Sequence, residues 1–329
     1  MKFLIAGLGS IGRRHLRNLV ALGQEDILLY RTHHSTLPDE DLAPFPVKTD
    51  LDAALAQKPD AVIVSNPTAL HLDVAIPAAR AGCHLLLEKP VTSQLDSRVQ
   101  TLRSLVAETE LKVLVGFQFR FHPVLMGVKD MIDSGRLGAL NTFRVHWGEY
   151  LPGWHPWEDY RQAYAARKDL GGGVVNTLCH PLDYARWLFG EVHALSAVTG
   201  QVSSLELDVE DVAEIILSMQ NGSLGTVHVN YFQRPTEHWM EIVCENGQIR
   251  WDNETGTADY YLADSNSWAA IKSPPGFERN DLFLDEMRHF LDLIEGESQS
   301  RCTLEDGILA VKMTSAVHAS SRTHQFETL

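Results

Sequence analysis

The chain has 329 residues and a formal net charge of −15, with 44% apolar and 22% charged residues. That length suits two domains of ordinary size, and the acidic balance excludes nucleic acid and anionic membrane surfaces as general partners, since both select a basic face. The four cysteines, Cys83, Cys179, Cys244 and Cys302, lie far apart with no Cys-x-x-Cys pair. This spacing points to buried thiols in a reducing cytoplasm, with neither a zinc module nor a disulfide framework.

Met1–Gly7 is apolar but short and runs straight into glycines, so it reads as a first strand and not a signal peptide. No apolar run approaches membrane-spanning length. Strands are expected at Phe3–Ala6, Ile27–Tyr30, Val47–Thr49, Ala61–Ser65, Leu85–Leu87 and Val113–Phe117. Helical patterns fit between them at Gly12–Leu22, Asp52–Gln57, Leu70–Ala81 and Leu95–Glu108, with a proline-rich loop from Thr32 to Pro46. Such alternation predicts a parallel sheet with crossover helices over residues 1–120.

After Phe121 the pattern changes. Helices are expected at Pro123–Ser134, Val174–Phe189, Leu282–Ile294 and Leu304–Ser321, and a strand at Asn141–Tyr150. The Trp-, Pro- and Tyr-rich stretch Leu151–Tyr164 reads as an ordered loop. Two hairpins are signalled by Asn-Gly pairs, Val212–Met219 with Leu224–Phe232 and Glu241–Glu245 with Gln248–Asp252. The fold class is therefore α/β, a doubly wound dinucleotide-binding domain, followed over 121–329 by an α+β domain with a large, mainly antiparallel sheet.

Gly7-Leu8-Gly9-Ser10-Ile11-Gly12 follows a strand and opens a helix, as a dinucleotide fingerprint requires. Gly7 permits the tight turn, Gly9 the approach of pyrophosphate and Gly12 close helix packing. Ser10 and Ile11 lie at the helix N-terminus, where free N–H groups meet phosphate. The second strand ends Tyr30-Arg31-Thr32 with no acid at its tip. An arginine there suits a 2′-phosphate, so NADP is expected, with NAD as the alternative. Asn66-Pro67 and His71 follow the fourth strand and face the same end of the sheet, although Asn-Pro is also ordinary turn chemistry. Glu88-Lys89-Pro90 ends the fifth strand. A lysine there can polarise a carbonyl or stabilise an alkoxide beside a nicotinamide, and the bland alternative is a charged strand end stopped by proline. Gly171-Gly172-Gly173 precedes a helical pattern in which Asn176 and His180 stand four apart on one face and Asp183 one turn on. Histidine is the usual proton acceptor near neutral pH.

Together these motifs, with Arg13, His15 and the Gly116-Phe117-Gln118-Phe119-Arg120-Phe121 segment, resemble the Gfo/Idh/MocA family of glucose–fructose oxidoreductase and inositol dehydrogenase. The resemblance covers the whole chain. It implies a Rossmann domain plus an open-faced sheet domain for substrate binding and self-association as a dimer or tetramer. It implies hydride transfer between NAD(P) and a sugar or cyclitol carbon, with Lys89 and His180 as the catalytic pair, no metal, and Glu88 and Lys89 beside the cofactor. The family's usual aspartate is Asn176 here, which can position a hydroxyl but carries no charge. Arg120, Tyr150, Trp154 and Lys168 are candidate substrate contacts, aromatic faces for stacking and cations for a carboxylate or phosphate. The Tyr150–Arg167 region resembles relatives associated with acidic sugars and surface polysaccharides; the equal alternative is an aromatic loop that packs against a neighbouring subunit. Two other readings share the fold: a cofactor-retaining glycosidase or epimerase with no net redox, and a non-catalytic NAD(P)-binding sensor.

Overall fold

A computed structural model describes residues 1–32 and 42–329; most of the expected Thr32–Pro46 loop lies outside the described residues. The chain forms two units.

The first unit comprises Met1–Gln118, Asp169–Gly171 and Arg279–Val311. Its strands are β1 (Phe3–Ala6), β2 (Ile27–Tyr30), β3 (Val47–Lys48), β4 (Ala61–Val64), β5 (His84–Glu88) and β6 (Val113–Gly116). They form a parallel sheet in the order β3-β2-β1-β4-β5-β6. The order reverses at β1, so the crevice beyond the carboxyl ends of β1 and β4 is where a nucleotide docks in such sheets. The crossovers carry α1 (Ser10–Ala21), α2 (Leu51–Leu55), α3 (His71–Arg80) and α4 (Ser97–Ala107). β1 and β4 are buried at every residue, which is why they read as unbroken apolar runs and not as alternating ones.

The return of residues 279–311 to this unit has no counterpart in the sequence reading. It brings α8 (Arg279–Glu295) against α1, with Arg14 4.3 Å from the centre of the Phe283 ring and Asn280 donating to Asn18 Oδ1 at 2.9 Å. The Cys302 carbonyl accepts from the Val115 N–H of β6 at 2.9 Å.

The second unit comprises Phe119–Lys168, Gly172–Glu278 and Lys312–Leu329. Its strands are β7 (Leu140–Tyr150), β8 (Val192–Gly200), β9 (Val212–Met219), β10 (Leu224–Asn230), β11 (Phe232–Cys244), β12 (Gly247–Asp252), β13 (Thr257–Leu262), β14 (Ser267–Lys272) and β15 (Glu327–Thr328). The order is β14-β13-β12-β11-β7-β10-β9-β8-β15. Every neighbouring pair is antiparallel except β7–β10. A parallel pair requires a long crossover, and the one between β7 and β10 contains α6 (Val174–Thr177) and α7 (His180–Phe189). β9 alternates buried and exposed residues, so one sheet face packs on helices and the other is open.

Three expectations are corrected. The predicted helix Val174–Phe189 is two helices, broken at Leu178 (φ −99°, ψ 38°) and Cys179. Pro181 explains the break: it lacks an N–H and fits only the first turn of a helix, which α7 supplies. Asn176 and His180 therefore do not share one continuous helix face. The strand expected at Glu241–Glu245 is the end of the 13-residue β11, and β8, β13, β14 and β15 carry no expectation at all.

Candidate functional site

In the first unit, the glycine loop is shaped by what cannot fit. Gly7 has φ +96°, and a Cβ there would run into the Asn66 amide, with Asn66 Cα 2.6 Å away. A Cβ on Gly12 would overlap the Gly7 carbonyl oxygen and lie 2.7 Å from Ser65 Oγ. Gly9 is different: a Cβ there meets no protein atom within 4 Å. Gly9 also caps α1 with no side-chain hydrogen bond, and no acid stands in the first turn. The first-turn N–H groups of Ser10 and Ile11 thus face a cradle that accepts an anion. The residues present fit a dinucleotide pyrophosphate.

Side chains brace this loop against its neighbours. Arg13 Nε donates to the Leu8 carbonyl at 3.0 Å. Ser65 Oγ lies 3.1 Å from the Ala6 carbonyl and 2.9 Å from that of Gly7, joining the ends of β1 and β4. Asn66 Nδ2 donates to the Leu70 carbonyl. Pro67 stands immediately before a short 3-10 turn, Thr68–Leu70. His71 is buried, with Nε2 2.8 Å from the Asn66 carbonyl and Nδ1 2.9 Å from that of Pro90. The ring thereby lies between the Asn66 turn and the Glu88-Lys89-Pro90 turn; a neutral imidazole donates to one of the two carbonyls and only the imidazolium donates to both. Burial holds its pKa below the ordinary value, opposed by the carbonyl acceptors and the Glu88 charge.

Glu88 closes β5 and Lys89 follows it at the carboxyl end of the sheet. Glu88 is buried; its Oε1 lies 2.7 Å from His15 Nε2 of α1, and its Oε2 accepts from the Lys89 backbone N–H at 3.3 Å. Burial opposes the Glu88 charge, but the hydrogen bond and charge of His15, with Lys89 and His71, outweigh it and lower the pKa. Arg31 is buried, with its backbone N–H on the Lys48 carbonyl, whereas Thr32 is exposed. Among the described residues, His15, Glu88 and Glu286 form a buried group spaced within 4.8 Å. Glu286 escaped the sequence reading. Its signal is a carboxylate among Leu282, Phe283, Met287 and Phe290, the buried stripe of α8.

In the second unit, the glycine run leads into α6. Gly173 has φ +102°, and a Cβ there would overlap Glu210 Oε1. Glu210 caps α6: its carbonyl accepts from Val174 N–H at 3.1 Å and its side chain from Val175 N–H at 3.1 Å. Burial pushes the Glu210 carboxyl above its ordinary pKa, with His318 4.0 Å away acting against the rise. Asn176 and His180 are both buried. Asn176 Nδ2 reaches the Gly172 carbonyl at 3.4 Å, and the His180 ring packs edge-on to Phe119 at 5.3 Å and tilted against Trp147 at 5.5 Å.

Arg120 and Asp183 are paired with each other. Arg120 Nε donates to Oδ2 at 3.0 Å and Nη2 to Oδ1 at 2.7 Å, with the side chains 4% and 2% exposed. Asp183 is thus held by a bidentate cation one turn along from His180. Tyr150 lies 4.1 Å beneath the Arg234 guanidinium, Trp154 packs edge-on to Tyr231 at 5.6 Å, and Lys168 is exposed, with its backbone N–H on Asp208. Nearby, Arg161, Gln162, Ala166, Arg167, Glu206, Leu207 and Asp208 line an open hollow of about 470 Å³.

Comparison with known proteins gives the same picture as the geometry. Residues 1–117 match the sequence profile described as oxidoreductase family, NAD-binding Rossmann fold, and residues 125–250 match the GFO/IDH/MocA C-terminal domain. Myo-inositol 2-dehydrogenase of Thermotoga maritima is 24% identical over 339 residues, covering 97% of this chain and 96% of that protein. The structure of levoglucosan dehydrogenase in complex with NADH and levoglucosan superposes with a TM-score of 0.88 at 20% identity, covering 100% and 99% of the two chains. The WlbA dehydrogenase from Bordetella pertussis, in complex with NADH and UDP-GlcNAcA, gives a TM-score of 0.80 at 20% identity, covering 100% and 97%. With both of its profiles matched in order and the dinucleotide cradle built as they require, the chain belongs to the Gfo/Idh/MocA family of NAD(P)-dependent oxidoreductases, whose relatives act on sugars and cyclitols.

Proposed function

We propose that this chain transfers hydride between NAD(P) and a secondary hydroxyl of a sugar or polyol, with Lys89, His180 and Asn176 as its catalytic residues. The observation that carries the reading is the fixed Glu88-Lys89-Pro90 turn, held by His15 through Glu88 and by His71 through Pro90 beside the glycine cradle. A lysine whose backbone is fixed at both flanks has the origin and direction of its side chain set, although its own torsions are still to be ordered. In the oxidative direction His180, or Lys89 with His180 as relay, accepts the hydroxyl proton, and Asn176 orients that hydroxyl. The bound nicotinamide supplies the hydride acceptor.

The preferred cofactor in this reading is NADP, supported by Arg31 at the end of β2 and the lack of an acid at 31–32. Tyr150, Trp154 and Lys168 are assigned to substrate. Arg120, expected as a substrate contact, is assigned instead to holding Asp183 one turn along from His180. An acidic or nucleotide-linked sugar suits the aromatic and cationic side chains of residues 150–168. The open sheet face, with Val198, Ile216 and Leu224 at least half exposed, is assigned to a second copy of this chain.

The test follows NAD(P)H absorbance across a panel of sugars and polyols that includes myo-inositol, levoglucosan and uronic acids. Lys89→Ala is expected to lower turnover by about 10²–10⁴-fold; full turnover in that variant ends the assignment. Arg31→Ala should raise KM for NADP more than for NAD. Turnover of a sugar without added cofactor would instead indicate redox-neutral chemistry.

A further inference from the structure

Glu286 is the least explained side chain in the first unit. It is 0% exposed, as is His15, and neither Glu286 oxygen has a hydrogen-bond partner; nor has His15 Nδ1. A leucine would fill that position on the α8 stripe at no electrostatic cost, whereas a buried carboxyl without a partner is expensive. The groups it faces are acidic and basic at once. Glu286, Glu88 and His15 offer atoms within 4.8 Å of one another, and Lys89, His71 and Arg14 supply the surrounding positive charge felt by Glu88.

Two carboxyls this close in a dry interior do not both ionise. Glu88 is the better anion: it accepts from His15 and from the Lys89 N–H. The proton is therefore left to Glu286, and burial, reinforced by the Glu88 charge, pushes its pKa well above the ordinary value.

We propose that Glu286 is a positioning residue for the redox site, its neutral carboxyl packed against the Glu88–His15 pair so that Glu88 alone carries the charge that fixes the turn presenting Lys89. This rests on the assignment of Lys89 as the cation of the site. The line of action runs from α8 to Glu88, and from Glu88 to the Lys89 backbone. The three groups, one each from α1, β5 and the returning α8, lie within 4.8 Å of one another at the carboxyl end of the sheet.

The test uses the full-length protein without substrate, so it is separate from the assignment it rests on: turnover retained by Lys89→Ala would end that assignment, while the following readouts bear on Glu286 alone. The Lys89 amine is labelled with acetic anhydride across pH and quantified by mass spectrometry, with Lys2 as internal reference. Glu286→Leu is expected to change the Lys89 labelling rate by about tenfold, one pKa unit, while the Lys2 rate stays constant. Glu286→Gln, which keeps a neutral donor of the same shape, should stay within about twofold on that scale. In parallel, melting temperatures are compared across pH. A carboxyl with a raised folded pKa contributes its full stability below the ordinary value of 4.5 and loses it as pH rises. Glu286→Gln should therefore gain on the wild type progressively above that pH. Unchanged Lys89 labelling in Glu286→Leu, or a pH-independent melting difference for Glu286→Gln, overturns the proposal. So does one equivalent of a transition metal in the purified protein, because the three groups would then hold a cation and not a proton.

Discussion

Alanine at Gly9 and at Gly12 separates cofactor binding from stability within one loop. At Gly12 the new Cβ overlaps the Gly7 carbonyl and crowds Ser65 Oγ, both fixed by the sheet. Overpacking against atoms that cannot yield costs about 1–3 kcal/mol. For a unit of this size that lowers the melting temperature by about 2–12 °C. At Gly9 the φ of −73° suits any residue and the Cβ meets no protein atom. Stability should then change by no more than about 0.5 kcal/mol. The methyl group instead occupies the approach to the first-turn N–H groups, so NADH and NADPH should bind at least about tenfold more weakly, a loss of about 1.4 kcal/mol. Thermal melting with and without cofactor, together with NADH fluorescence titration, reads both effects. A Gly9→Ala variant that binds cofactor like the wild type refutes the assignment of the cradle, and a Gly12→Ala variant of unaltered melting temperature refutes the packing argument.

Two further outcomes test the second unit. His122 caps α5 (Pro123–Asp133), its Nδ1 accepting from Val124 N–H, and burial lowers its pKa from 6.5 to about 4. A depressed folded pKa means that stability is full above 6.5 and is lost as pH falls toward 4, by about 3 kcal/mol in all. His122→Asn keeps an acceptor and removes the titration, so its urea denaturation should show a shallower acid loss; an unchanged pH slope contradicts the argument. Asp183→Ala strands the buried Arg120 guanidinium and should cost about 3–5 kcal/mol. The double change Arg120→Met with Asp183→Leu should recover most of that, and equal losses in the two variants would show that the pair contributes by shape and not by charge.

The βα alternation of the first unit was legible because parallel strands are buried on both faces and stand out as apolar runs between amphipathic helices. Asn-Gly pairs located two hairpins of the second unit. The β13–β14 hairpin has no such pair; it turns at Ala263–Asn266, with Asn266 at φ 47°. β14 is an edge strand exposed at almost every residue, so no apolar pattern marks it. Pro181 carried the information that the second-unit helix breaks, but the apolar periodicity on either side of it masked the signal. At the site, Glu88, Lys89 and the glycines were visible as motifs. His15 entered only through the family resemblance, and Glu286 was hidden because its partners lie some 200 and 270 residues earlier in the chain.

The return of residues 279–311 to the first unit also governs how the protein is made. β6 is the outer strand of the parallel sheet, and its Val115 N–H is capped by the Cys302 carbonyl. The ribosome releases residue 118 about 190 residues before residue 311. At ordinary elongation rates the gap is about 10–40 s. During that interval the nascent sheet carries an open edge, the kind of surface that recruits a neighbouring strand. A fragment ending at residue 278 should therefore aggregate where the whole chain does not.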